Sequence, residues 1–139
     1  MCKLLDKIQP KNKTQLKQLI DYAFKHNIYD LNFIDTSKIT DMSNLFVNCE
    51  YDIDVSNWDV SNVTDMYNMF YYCDNFDCDL SNWDVSNVTN MHALFRKCNN
   101  FTGKGLENWD ISNMTRCKNT FCGCDKMTIP NWYKLYHKK

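Results

Sequence analysis

Glycine is scarce in this chain of 139 residues: only Gly103, Gly105 and Gly123 occur, and none forms a glycine-rich loop that could cradle a phosphate. Long apolar runs are also missing, since none approaches the roughly 20 residues that a bilayer-spanning helix needs. The expectation is therefore no membrane. Charge of one sign is absent too. Lysine and arginine total 16 against 17 acids, a formal net charge of −1, which gives no electrostatic reason for nucleic acid to bind. The only histidines, His26, His92 and His137, are scattered, so they build no nucleophile–base–orienter set. No enzyme, cofactor or metal is expected. Residues 1–10 are charged and lack the apolar core of a secretory signal, so the expected location is the cytoplasm.

What is present is one phrase, repeated. It reads Ile34-Asp-Thr-Ser-Lys-Ile-Thr, Trp58-Asp-Val-Ser-Asn-Val-Thr, Trp83-Asp-Val-Ser-Asn-Val-Thr and Trp109-Asp-Ile-Ser-Asn-Met-Thr, with starts 24, 25 and 26 residues apart. A period in the twenties implies stacked units, each burying its apolar face against its neighbours. With 44% hydrophobic and 14% aromatic residues, the chain has material for one domain with a core.

Within the second unit, Met66, Met69, Phe70 and Cys73 fall at i, i+3, i+4 and i+7, which predicts a short helix. Thr64 would be its N-cap. The other units carry Met42, Leu45, Phe46, Cys49; Met91, Leu94, Phe95, Cys98; and Cys117, Thr120, Phe121, Cys124. Apolar–polar–apolar alternation in Trp83-Asp84-Val85 predicts a short strand with the aspartate outward. The expected fold class is α/β: a right-handed leucine-rich-repeat-type solenoid with one short strand and one short helix per unit. Residues 1–30 would form an N-terminal capping segment, 31–128 four units and 129–139 a C-terminal cap. The cap helix is read over 14–27, with Thr14 as N-cap and Asn27 as stop. The tail would place Trp132, Leu135 and Tyr136 over the last unit.

Eight cysteines would ordinarily suggest a disulfide framework. However, Cys49, Cys73, Cys98 and Cys124 each stand nine residues after the threonine of their unit and form a column, as buried free thiols do. Reduced thiols also fit the cytosol. Cys117, Cys122 and Cys124 lack the usual paired spacing of a zinc site, so an exposed thiol at Cys122 or Cys2 is the expectation there.

The phrase Leu-Ser-Asn-Trp-Asp-Val-Ser-Asn-Val-Thr-x-Met, followed by Met/Leu-Phe-x-x-Cys and then Phe, resembles the BspA-like leucine-rich repeat family over residues 30–132. The resemblance implies a leucine-rich-repeat-type solenoid and protein–protein interaction, with no catalytic residues to carry over. Some members of that family are secreted bacterial adhesins; others are encoded by phages, large DNA viruses and protists. The expectation is a departure from the adhesins, since residues 1–139 read as carrying no signal peptide, no anchor and few repeats.

Two surfaces are candidates for contact with a partner. Asp35, Asp59, Asp84 and Asp110 recur at the outward strand position and would form a concave acidic strip. Strands about 4.8 Å apart would hold these charges close, so hydrogen bonds to backbone N–H groups or to Asn57, Asn82 and Asn108 should offset the repulsion. The second surface is where the copies differ. Tyr67, Tyr71 and Tyr72 of one unit share columns with His92, Arg96 and Lys97 of the next, and tyrosine and arginine are enriched at binding hot spots. The expected function is a non-enzymatic protein-interaction module of a cell, virus or phage, monomeric or a weak homodimer, with a protein partner. The alternative is an extracellular adhesin-like module separated from its leader.

Overall fold

The computed structural model describes residues 6–138. Among them only two helices occur, α1 (Lys13–Lys25) and α2 (Asn131–Tyr136), and no strand. The expected α/β solenoid, with one strand and one helix per unit, is therefore incorrect. Five isolated parallel bridges stand in place of strands, at Ile8–Ile34, Asp30–Asp54, Asp41–Asp65, Asp65–Asn90 and Asn90–Arg116.

Each copy is instead a succession of four-residue turns. In the second, Trp58 N–H donates to Val55 O (3.1 Å), Val63 to Val60 (2.9 Å), Met69 to Met66 (3.2 Å) and Cys73 to Phe70 (3.1 Å). The first and fourth residue of each of these turns is buried, and the two between face outward. Two such turns in succession, Met66–Met69 and Phe70–Cys73, bury positions i, i+3, i+4 and i+7. That is the spacing of a helix face, which is why the sequence pattern reads as helical. The third residue of each turn in these successive pairs adopts the left-handed conformation: Asn44, Asn48, Asn68, Tyr72, Ala93, Lys97 and Asn119 have φ between 54° and 63°, and Gly123 has 79°. A helix cannot contain such residues, so the expected cap at Thr64 has no helix to cap.

Alternate backbone N–H groups of these paired turns reach into the next copy. Met42, Asn44, Phe46 and Asn48 donate to the carbonyls of Asp65, Tyr67, Met69 and Tyr71 at 2.8–2.9 Å. The same alternation continues from Met66, Asn68, Phe70 and Tyr72 to Asn90, His92, Leu94 and Arg96, and from there into the fourth copy. These ladders stack the copies in register. Rings then lie over rings: Phe46, Phe70, Phe95 and Phe121 follow one another with centroids 5.5, 5.6 and 5.8 Å apart, and Trp83–Trp109 and Trp109–Trp132 are 6.4 and 6.3 Å apart.

The recurrent polar residues brace the same stack. The indole N–H of Trp58, Trp83, Trp109 and Trp132 donates to the carbonyl of Leu31, Val55, Leu80 and Leu106 at 2.8–3.3 Å. Asn62, Asn87 and Asn113 donate from Nδ2 to Ser37, Ser61 and Ser86, each at 2.7 Å. Three thiols of the cysteine column do likewise, Cys73 to Phe46 O, Cys98 to Phe70 O and Cys124 to Phe95 O, at 2.8–2.9 Å.

Both ends are covered, unequally. Helix α1 occupies the place the periodicity assigns it, but Asn12, not Thr14, is its N-cap: the Asn12 side chain accepts from Gln15 N at 3.0 Å. Asn27 at φ 58° ends the helix, with Asn27 N–H to Phe24 O and Ile28 N–H to Ala23 O closing a Schellman motif. Its apolar stripe, Leu16, Ile20 and Ala23, is fully buried. Helix α2 has no buried residue. Trp132, Tyr133 and Tyr136 pack partly on the core, whereas Leu135, expected to cover the last unit, is exposed.

Copies three and four are spaced one residue wider than two and three, and Gly105 lies in the added length. Its φ is +88°, and a Cβ there would lie 2.1 Å from Ser81 N, part of the backbone one copy below. Gly105→Ala is therefore expected to lower stability by more than about 2 kcal/mol, through both the clash and the positive φ. Chemical denaturation of the variant beside the native chain measures this.

Candidate functional site

The outward pairs of the two central turns form one face. Tyr67-Asn68 and Tyr71-Tyr72 come from the second copy, and His92-Ala93 and Arg96-Lys97 from the third, where Ala93 itself is buried. Ser43-Asn44 and Val47-Asn48 precede them, and Lys118-Asn119 and Cys122-Gly123 follow. Because the N–H groups of Asn68 and Tyr72 donate to His92 O and Arg96 O, at 3.1 and 2.9 Å, the rows are fixed by backbone bonds.

The structure brings the expected residues together in two sets. The Tyr67 and His92 rings stack with centroids 5.6 Å apart. The Arg96 guanidinium lies 5.7 Å from the centroid of Tyr71, a cation–π contact, and Tyr71 meets Tyr72 edge-on at 4.7 Å. Arg96 Nε is sealed from solvent without a hydrogen-bond partner. Lys97 runs its stem against Gly123, where even a Cβ would come within 2.7 Å of its Cδ. Tyr67 and Tyr72 are 38% and 46% exposed, so two aromatic rings remain open to a partner.

Tyr72 occupies a position that favours Asn or Gly. At φ 58° it stands in the column of Asn48 and Gly123. An aromatic residue in that region carries a cost of about 1 kcal/mol. The excess is not needed for stacking, because Asn48 makes the same ladder bond to the next copy.

The aspartates are differently engaged. Asp35, Asp59, Asp84 and Asp110 stand at junctions between successive turns, not on strands, which corrects the expected geometry of the strip. Each carboxylate accepts the backbone N–H of the serine two residues on (Ser37, Ser61, Ser86 and Ser112) at 2.9–3.0 Å. Serine hydrogen bonds, from side chain and backbone, hold the carboxyls of Asp35, Asp84 and Asp110 below the ordinary aspartate range. The backbone N–H of Asn57 donates to Asn32 Oδ1 at 2.8 Å.

Two groups were not singled out from the sequence. Tyr51, 39% exposed, stacks on Tyr29 at 4.5 Å and contacts Phe24 at 4.9 Å; Tyr51 and Tyr72 line one recess. Its signal was a tyrosine in the column of Phe76 and Phe101. Arg116 and Lys118 extend the basic part of the face. Their signal was the drift down two columns, Asp41, Asp65, Asn90, Arg116 and Ser43, Tyr67, His92, Lys118.

Among the described residues, no group of three or more His, Cys, Asp or Glu is arranged to hold a metal. Cys122 is exposed; Cys49, Cys73, Cys78, Cys98, Cys117 and Cys124 are buried and free. Cys2, also read as an exposed thiol, lies outside the described residues. Burial pushes the Cys73 thiol up to about 12 and those of Cys78 and Cys124 to about 11. No described helix is long and apolar enough to cross a membrane.

A chain of stacked, turn-built copies bearing one differentiated face is the class of protein that this fold defines. The family described as "Mycoplasma protein of unknown function, DUF285" matches residues 14–132, so the chain belongs to that family. No curated protein and no solved structure matches it.

Two outcomes test this description. Iodoacetamide labelling of the native protein, read by peptide mass spectrometry, should modify Cys122 and spare Cys73, Cys98 and Cys124 until the chain is unfolded, because only thiolates react. Tyr72→Gly should raise stability by about 1 kcal/mol in urea denaturation, since glycine takes the positive φ without strain.

Proposed function

We propose that this chain is a BspA-like repeat protein acting as a non-enzymatic protein-interaction module, with the face of Tyr67, Tyr71, Tyr72, His92, Arg96 and Lys97 as its contact surface. One observation carries this reading. The recurrent Trp, Asn and Cys side chains bond to the copy before, and the recurrent Asp side chains cap their own turns. The residues of this face do neither. Their identities change from copy to copy while the backbone beneath them stays the same.

The retention of Tyr72 in a conformation better suited to Asn or Gly supports the same conclusion, because strain kept at the surface is commonly tied to function. The aspartate strip is the weaker candidate, its carboxylates being committed to turns. The setting proposed is intracellular. Three thiols donate hydrogen bonds to carbonyls inside the stack, an arrangement that needs reduced sulfur.

Site-specific photo-crosslinking in the producing cell tests the surface. With p-benzoylphenylalanine at Tyr67 or Tyr72, one protein should be captured; with the same group at Lys25 on α1, it should not. The Tyr71→Ala/Arg96→Ala variant should weaken that complex by about 2 kcal/mol or more, the loss typical of a hot spot. Equal capture from Lys25, or an undiminished complex in the double variant, would rule out this face.

A further inference from the structure

The contact face is electrically polar along the stack. Its first two copies present Asp41 and Asp65 and no cation of their own; Lys13 of α1 approaches Asp41 at 3.5 Å. Its last two copies present His92, Arg96, Lys97, Arg116 and Lys118 and no carboxylate. The parallel bridges Asp41–Asp65, Asp65–Asn90 and Asn90–Arg116 place these residues in one row, so the sign changes over three adjacent copies.

The basic half is uncompensated. Among the described residues the ion pairs are Lys13–Asp41, Lys17–Asp21 and Lys104–Asp77. None involves Arg96, Lys97, Arg116 or Lys118. Arg96 is held over the ring of Tyr71, which fixes the place of its charge on the face. His92, Arg116, Lys118 and His137 line a single recess where the fourth copy meets α2. A chain of net charge −1 has acids to spare, yet none sits here.

We infer that the partner docks by an acidic extended segment of polypeptide, laid across the stack from the Tyr67–His92 pair to Arg116 and Lys118. This rests on the proposed interaction surface and adds the chemistry of what it binds. Complementary charge supplies orientation and encounter rate, and the two exposed tyrosines supply apolar contact area. The acidic rows at Asp41 and Asp65 favour a polypeptide over a nucleic acid. A phosphodiester chain is charged at every unit and would run into those rows, whereas a peptide can carry its acids at one end only.

The test is fluorescence anisotropy of fluorescein-labelled octaglutamate with the full chain at low ionic strength, beside oligothymidylate of equal charge. Octaglutamate should bind saturably, bind better than oligothymidylate, and lose about tenfold or more in affinity to the Arg116→Gln/Lys118→Gln variant, as paired surface charges imply. Both residues are exposed, and an unchanged thermal melt of the variant establishes that the fold is intact. No binding of octaglutamate, an undiminished affinity in the variant, or equal binding of oligothymidylate would overturn the inference. Photo-capture from Tyr67 that persists in this variant would overturn the acidic segment alone and leave the docking surface standing. Absence of capture from the native chain, together with no octaglutamate binding, would end both.

Discussion

The backbone ladder between copies is the constraint on which everything else rests. A four-residue turn satisfies only one of its N–H groups internally, and a stretch of such turns would otherwise bury unpaired donors at considerable cost. Here alternate residues, Met42, Asn44, Phe46 and Asn48, send their N–H groups to the next copy. That arrangement holds only if the next copy has the same turns in the same order. The near-constant spacing of copies is therefore a hydrogen-bond requirement before it is a packing one. The added residue before the fourth copy is taken up at Gly105, where the backbones approach too closely for a side chain.

Side chains then become conserved between copies for reasons that the ladder defines. A tryptophan in one copy donates to the carbonyl of the apolar residue that opens the same turn one copy earlier, as Trp83 does with Val55, adding a second donor to the oxygen that already accepts the turn bond from Trp58 N–H. A thiol fits where Cys98 does because it is small, apolar and still able to donate to Phe70 O. The first copy, with Ile34 where later ones have Trp, pairs there with the segment around Ile8 through a parallel bridge.

The period and the inward-facing residues were legible in the sequence, but the local conformation was not. Met66, Met69, Phe70 and Cys73 satisfy a helix template and a double-turn template equally, since both bury i, i+3, i+4 and i+7. What separates them is the residue type between: Asn44, Asn48, Asn68, Asn119 and Gly123 recur at third positions of turns, where φ is positive. A helix would not favour asparagine there in copy after copy. The supposed strand at Trp83-Asp84-Val85 is the junction of two turns, Leu80–Trp83 and Val85–Val88. The Tyr and Arg columns were legible because they depend on register alone, and register survives the change from helix to turn. Arg116 and Lys118 were passed over because a gradient of charge appears only when a column is followed through all the copies.

The two ends of the stack differ in kind, and this bears on how the molecule meets others. The first copy offers carbonyls outward, and Lys17 of α1 bonds one of them, Leu45 O, at 3.0 Å. In the last copy, Cys117, Asn119, Phe121 and Gly123 occupy the positions whose N–H groups elsewhere feed the next copy. The carbonyls of Cys117, Asn119 and Phe121 are already taken by turn bonds from Thr120, Cys122 and Cys124. That edge therefore donates and does not accept. Placed against a second copy of itself it would set donor against donor, so it is not self-complementary in the way a two-fold interface requires. The carbonyl edge that would complement it lies under α1, whose apolar stripe is fully buried. Growth by addition of further chains would have to displace that helix. The lateral face carries no such obstacle at its centre: the N–H groups of Asn68, Tyr72, Ala93 and Lys97 are satisfied by the next copy, and the side chains there remain to be matched.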